Sequence, residues 1–168
     1  MEKKYSFYDL SFQDLKLFLI EKIDVEEKKS SMRAKQIFYA IYRKGIKKFQ
    51  DLTTISLDLR KKLETTLSLE LPKIVKTEIA DDKTIKWLLE LSDENKNLIE
   101  VVLIPSKSHN TICVSVQVGC AMSKKSACIH CATGTQLLVK NLSTSEIVMQ
   151  MMIAKRYLND FGDNRLIK

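Results

Sequence analysis

Residues that interrupt regular structure are scarce: the sequence has four glycines and two prolines in 168 residues. That scarcity excludes a collagen-like repeat, a mucin-like stalk and a low-complexity chain. Cysteine is scarce too, at four residues, too few for a disulfide scaffold. In a reducing compartment these thiols stay free for metal or catalysis. No apolar run approaches the roughly 20 residues of a membrane span. The start Met1-Glu2-Lys3-Lys4-Tyr5 has neither the apolar stretch nor the small-residue cleavage site of a secretory leader. A cytoplasmic protein that does not enter the membrane is the expectation.

The remaining composition is ordinary for a globular chain, 45% apolar and 29% charged. The length suits one domain, or a small domain with part of another. Lys and Arg (28) outnumber Asp and Glu (21), for a net charge of +7. Between Glu27 and Asp51 there is no acid and there are eight bases: Lys28, Lys29, Arg33, Lys35, Arg43, Lys44, Lys47 and Lys48. Such a surface attracts phosphate polyanions, and the plainer alternative is a solvated helix face.

Three helical patterns open the chain. Ser11 and Asp14 make a partial capping box ahead of Phe12, Leu15, Leu19 and Ile23. Ala34, Ile37, Phe38, Ile41 and Tyr42 form a second pattern, with Gly45 as its stop, and Leu59, Leu63 and Leu67 a third. Together they predict a helical domain of about 70 residues. After Pro72 the pattern changes to strands at 74–79, 84–91, 98–104 and 111–118, separated by polar turns, which predicts an antiparallel meander. Ser143-Thr144-Ser145-Glu146 is a capping box for a helix running to Leu158, with Gly162 as its stop. Met149, Met151 and Met152 read as core filling.

Three of the cysteines lie within twelve residues, Cys120, Cys128 and Cys131, at a C-x7-C-x2-C spacing. Thiolates at such spacing suit an iron–sulfur cluster, zinc, or remain unmetallated. His130 would be a fourth zinc ligand, but it sits inside the tight turn between Cys128 and Cys131. Three thiolates on a 4Fe-4S cluster leave one iron open to a small molecule. Cys113 lies within a strand pattern and reads as a small buried residue.

Several segments resemble the RlmN family of radical S-adenosylmethionine enzymes. They are Arg33–Phe38, Tyr42–Gly45, Lys86–Leu91, Ile99–Pro105, Ile112–Cys120, Cys131–Gln136 and Asn141–Ile147. The family methylates C2 of an adenine in 23S rRNA and in tRNA. The resemblance implies an α/β fold class. Residues 1–72 would be a helical, RNA-binding domain, 73–110 a β-strand extension, and 111–168 the first β/α unit of a partial (β/α)6 radical SAM barrel. It implies that Cys120, Cys128 and Cys131 bind the 4Fe-4S cluster, which works with S-adenosyl-L-methionine, and that Glu100 accepts the adenine proton. From the residues alone, Glu100 reads as a solvent-facing strand carboxylate.

Two departures stand against the family pattern. Its spacing is C-x3-C-x2-C, so this loop carries four extra residues, roughly Lys124–Ala127. Closing the longer loop costs only on the order of 0.6–1 kcal/mol. The family's Gly-Glu-Pro-type motif and its methyl-carrying cysteine lie beyond Lys168. The expectation is the N-terminal portion of a methyltransferase, truncated and inactive alone. A second chain would supply the rest of the barrel, and an electron donor such as a flavodoxin would serve the complete enzyme. The alternatives are a non-catalytic RNA-binding remnant and a zinc-binding adaptor.

Overall fold

The computed structural model describes residues 4–123 and 132–162. Contacts divide the chain into two units, one of residues up to Glu70 with the stretch from Asn159, the other Leu71–Leu158.

In the first unit, β1 (Tyr5–Ser6) precedes three helices, α1 (Phe12–Glu21), α2 (Glu27–Tyr42) and α3 (Leu57–Thr66). β2 (Leu67–Ser68) then pairs in parallel with β1. α1 starts where expected. The Ser11 hydroxyl accepts the Asp14 N–H and the Asp14 carboxylate accepts the Ser11 N–H, both at 3.1 Å. Ser56 caps α3 through the Leu59 N–H at 3.3 Å. After α2 the chain turns at Gly45 (φ +70°), and the Ile46 N–H reaches back to the Ala40 carbonyl at 3.1 Å. Leu15 and Leu19 of α1, Ile37 and Ile41 of α2 and Leu63 of α3 are fully buried, as their periodicity requires. Phe7 adds an aromatic cluster with Phe38, Tyr42 and Phe49. Burial, with Tyr8 beside it, pushes the Tyr42 phenol up to about 12.

In the second unit, β3 (Lys73–Ile79), β4 (Ile85–Glu90), β5 (Leu98–Ile104) and β6 (Thr111–Cys113) form an antiparallel meander in chain order. Period-2 alternation puts Ile85, Trp87 and Leu89 on one face, opposite Leu103, Val101 and Ile99 of β5. β7 (Gln117–Val118) pairs with β8 (Lys140–Asn141), and α4 (Thr144–Leu158) follows. Ile153 and Ala154 of α4 join the sheet's buried face, and Tyr157 meets Trp87 edge-on at 5.3 Å. Of the three methionines, Met152 is fully buried. No helix of the described residues is long and apolar enough to cross a membrane.

Three details correct the sequence expectations. The segment Thr111–Val118 is not one strand. It breaks after Cys113, because the buried Gln150 side chain takes both backbone groups of Ser115: Oε1 accepts its N–H at 2.8 Å and Nε2 donates to its carbonyl at 2.9 Å. Cys113 is exposed rather than buried, because it stands opposite Val102 on the face away from the core, while its neighbour Ile112 takes the buried side opposite Leu103. α4 stops at Asn159, which adopts the left-handed conformation (φ +51°), three residues before Gly162.

Candidate functional site

The described part of the cysteine loop is built on the β7–β8 pair. β7 delivers the chain to Gly119, which is buried with φ +73°. A Cβ there would lie 2.0 Å from the Leu137 carbonyl oxygen, so only glycine fits. The next residue, Cys120, is held from both sides. Its N–H donates to the Gln136 carbonyl at 3.0 Å, and it forms a parallel bridge with Leu137. The half-buried sulfur accepts the Met122 N–H at 3.4 Å. A sulfur that receives a backbone N–H suits a thiolate ligand, whose negative charge the amide dipole stabilises. The buried Ser123 hydroxyl has no partner among the described residues. Cys128, Cys131 and His130 lie outside the described residues. Among those described, no three His, Cys, Asp or Glu gather as a metal site.

An ionic brace fastens this hairpin. Lys140 of β8 bonds Asp93, in the β4–β5 turn, at 3.0 Å and Glu146 of α4 at 2.7 Å. Glu146 also accepts the Ser143 N–H at 2.8 Å, and the Ser143 hydroxyl accepts the Glu146 N–H at 3.2 Å. The expected capping box is therefore also one arm of the brace. Hydrogen bonds from the Asn97 side chain, then its N–H and Lys140, draw the Asp93 carboxyl down from 3.8 to about 2, against the opposing effect of burial. Burial lowers the Lys140 pKa, but its bonds to Glu146 and Asp93 outweigh that and raise it.

A depressed carboxyl stabilises the fold above its unfolded pKa and loses that effect as pH falls through its folded pKa. We expect acid titration to remove up to about 2 kcal/mol between pH ~4 and ~2 through this carboxyl. The Asp93→Asn variant should be less stable at neutral pH and lack this loss, as read by chemical denaturation across pH.

Glu100 stands on the exposed face of β5, between the buried Ile99 and Val101. Its carboxylate meets Lys86 of β4 at 3.4 Å, and Lys86 also bonds Glu78 of β3 at 2.9 Å. Lys76 reaches the same Glu78 at 2.6 Å. These bonds, Lys76 before Lys86, pull the Glu78 carboxyl down to about 2, while Glu78 and Glu100 raise the Lys86 ammonium. The Glu100 carbonyl accepts the Ser115 hydroxyl at 2.7 Å. The strand bearing Glu100 is thus tied to the segment leading to Cys120, although the carboxylate and the sulfur share no bond. The pattern of residues did not indicate Gly119, Gln150 or the Lys140 brace. The one available hint was a glycine directly before the first cysteine.

In the helical unit, Lys28 and Lys29 pair with Glu26 at 3.0 and 2.5 Å. Arg33 donates to the Gln36 side chain at 2.9 Å. Lys35, Lys44, Lys47 and Lys48 are exposed.

Residues 6–69 match the family model described as the ribosomal RNA large subunit methyltransferase N-terminal domain. The chain is 39% identical over 155 residues to the dual-specificity RNA methyltransferase RlmN of Nitrobacter winogradskyi, an alignment covering 86% of this chain and 38% of that protein. It is 46% identical over 127 residues to the RlmN of Vesicomyosocius okutanii, covering 76% of this chain and 34% of that one. A radical SAM methyltransferase from Sphaerobacter thermophilus, known from a crystal structure, superposes with a TM-score of 0.76. Its sequence identity is 34%, over 92% of this chain and 42% of that chain. The chain spans less than two fifths of the length of either RlmN relative.

Proposed function

Because this chain belongs to the RlmN family, whose N-terminal portion it matches, we propose that it is part of a radical S-adenosylmethionine RNA methyltransferase acting at C2 of adenine in 23S rRNA and tRNA. Residues 1–72 would face RNA, 73–110 form the β extension, and 111–168 begin the radical SAM core. Cys120, Cys128 and Cys131 would ligate a 4Fe-4S cluster through their thiolates. The observation that carries this reading is Cys120 itself, fixed behind a glycine that no other residue replaces, with a backbone N–H aimed at its sulfur. When bound, the cluster and S-adenosyl-L-methionine supply the reducing electron and the methyl group.

The chain's own residues position and shield. Gly119 and the β7–β8 pair hold the first ligand. Glu100 would take the proton released from adenine C2, with Lys86 orienting its carboxylate. Val116, Leu137 and Val139 are each more than half exposed beside the cysteine segment. A further stretch of barrel, in this polypeptide or a second chain, would cover them. An electron donor such as a flavodoxin would complete the cytoplasmic system.

The lysines after α2 would bind RNA phosphates, which fix position without reading sequence. Reversing Lys44, Lys47 and Lys48 to Glu should weaken RNA binding at least tenfold and flatten the dependence of log K on log[salt] by about 2. Titration at several salt concentrations checks this. An unchanged affinity and slope would remove the RNA face from the proposal.

A further inference from the structure

The helical unit holds a cavity of about 780 Å³ between α1, α2 and the segment before α3. Half-buried rings of Phe12, Phe38 and Tyr42 line it, and Tyr39 stands at its edge, more than half exposed. Lys35, Arg43 and Lys44 border it, and Asp51 is the sole acid in its lining. Lys44 lies over the Tyr39 ring at 5.5 Å, so cation and ring are already paired at the rim. Leu52, Thr53 and Thr54, from the segment before α3, complete the lining.

These features select the occupant by charge and shape. A neutral apolar ligand would leave the three cations at the border without an anion. An acidic peptide would use the cations and leave the aromatic lining without a flat partner. A paired helix cannot insert a base into a recess. An unpaired nucleotide satisfies both: a flat base for the rings and phosphates for the cations. The volume falls within the range of sites that take a ligand of that size.

We propose that this cavity receives one unpaired base of single-stranded RNA, stacked against Tyr39, with the flanking phosphates on Lys35, Arg43 and Lys44. It rests on the reading that this unit contacts RNA, and it adds a place where a base, not only the backbone, is held.

The test uses the whole chain and a single-stranded RNA of about ten nucleotides, within the span such sites cover, with one 2-aminopurine. Stacking should quench the probe's emission on binding. Tyr39→Ala should weaken binding roughly five- to hundredfold and abolish the quenching. Tyr39→Phe should keep both, because the ring remains. Lys44→Gln should keep the quenching while lowering the salt slope by about 0.7. Tyr39 lies outside the core, and thermal unfolding monitors each variant. RNA that binds with unaltered emission at every probe position, or a folded Tyr39→Ala variant that binds and quenches as before, overturns the base site and leaves the phosphate-binding face standing. Absence of any RNA binding overturns both. Quenching by a fully paired RNA of the same sequence also overturns the base site.

Discussion

Replacing Gly119 with alanine should destabilise the second unit by roughly 2–5 kcal/mol and displace Cys120. Two effects add. The left-handed conformation costs an L-residue about 1–2 kcal/mol. The added methyl would also overlap a backbone oxygen that no rotamer change can move, since its Cβ would sit 2.0 Å from the Leu137 carbonyl, and overpacking of that kind costs about 1–3 kcal/mol. The β7–β8 pair must open to admit it, and with it go the Cys120 N–H to Gln136 bond and the Leu137 bridge. Gly162 is an internal control. It also has positive φ, at +95°, but nothing lies within 4 Å of its would-be Cβ. Gly162→Ala should therefore show the conformational part alone. Thermal unfolding of the two variants side by side separates clash from strain, and equal effects would contradict the packing seen at Gly119.

The second large effect belongs to Gln150. Its amide is fully excluded from solvent and makes three bonds, two to Ser115 and one from Nε2 to the Glu146 carbonyl at 3.0 Å. Gln150→Leu keeps the volume but strands the Ser115 N–H and carbonyl. An unsatisfied buried group costs about 1–3 kcal/mol, so the pair should cost roughly 2–5 kcal/mol. For a chain of this size that lowers Tm by about 5–15 °C. Hydrogen exchange at the Ser115 amide should accelerate strongly in this variant. Gln150→Glu keeps an acceptor for the Ser115 N–H but buries a carboxylate against the Ser115 and Glu146 carbonyls, so at neutral pH it should be at least as destabilising as Leu. A Leu variant as stable as the parent would mean the strand break at Ser115 has another cause.

Local signals were readable in the residues. The capping boxes at Ser11 and Ser143 formed as written, since a cap needs only a hydroxyl and a carboxylate three residues apart. The alternation in 85–90 and 98–104 set which face of the sheet is buried. What failed to show depended on residues far apart in sequence. The break in 111–118 comes from a glutamine 35 residues away. The Asp93–Lys140 arm of the brace joins residues 47 apart, with no periodicity to mark it. Gly119 looked like an ordinary strand end until Leu137 stood against it. For the site, residue type and spacing pointed to the cysteines, and the structure added how the first is held. The role of Glu100 was carried by family resemblance, because an exposed strand carboxylate paired with a lysine has no distinguishing pattern.

The proposed function requires three thiolates of this chain to hold an iron–sulfur cluster. The direct measurement is anaerobic reconstitution with iron and sulfide, followed by metal and sulfide analysis and visible absorption. The protein should turn brown and carry about four iron and four sulfide per chain, its charge-transfer absorption lost in Cys120→Ala, Cys128→Ala and Cys131→Ala variants that remain folded. A colourless protein, or one carrying zinc near one per chain with His130 required, would contradict it.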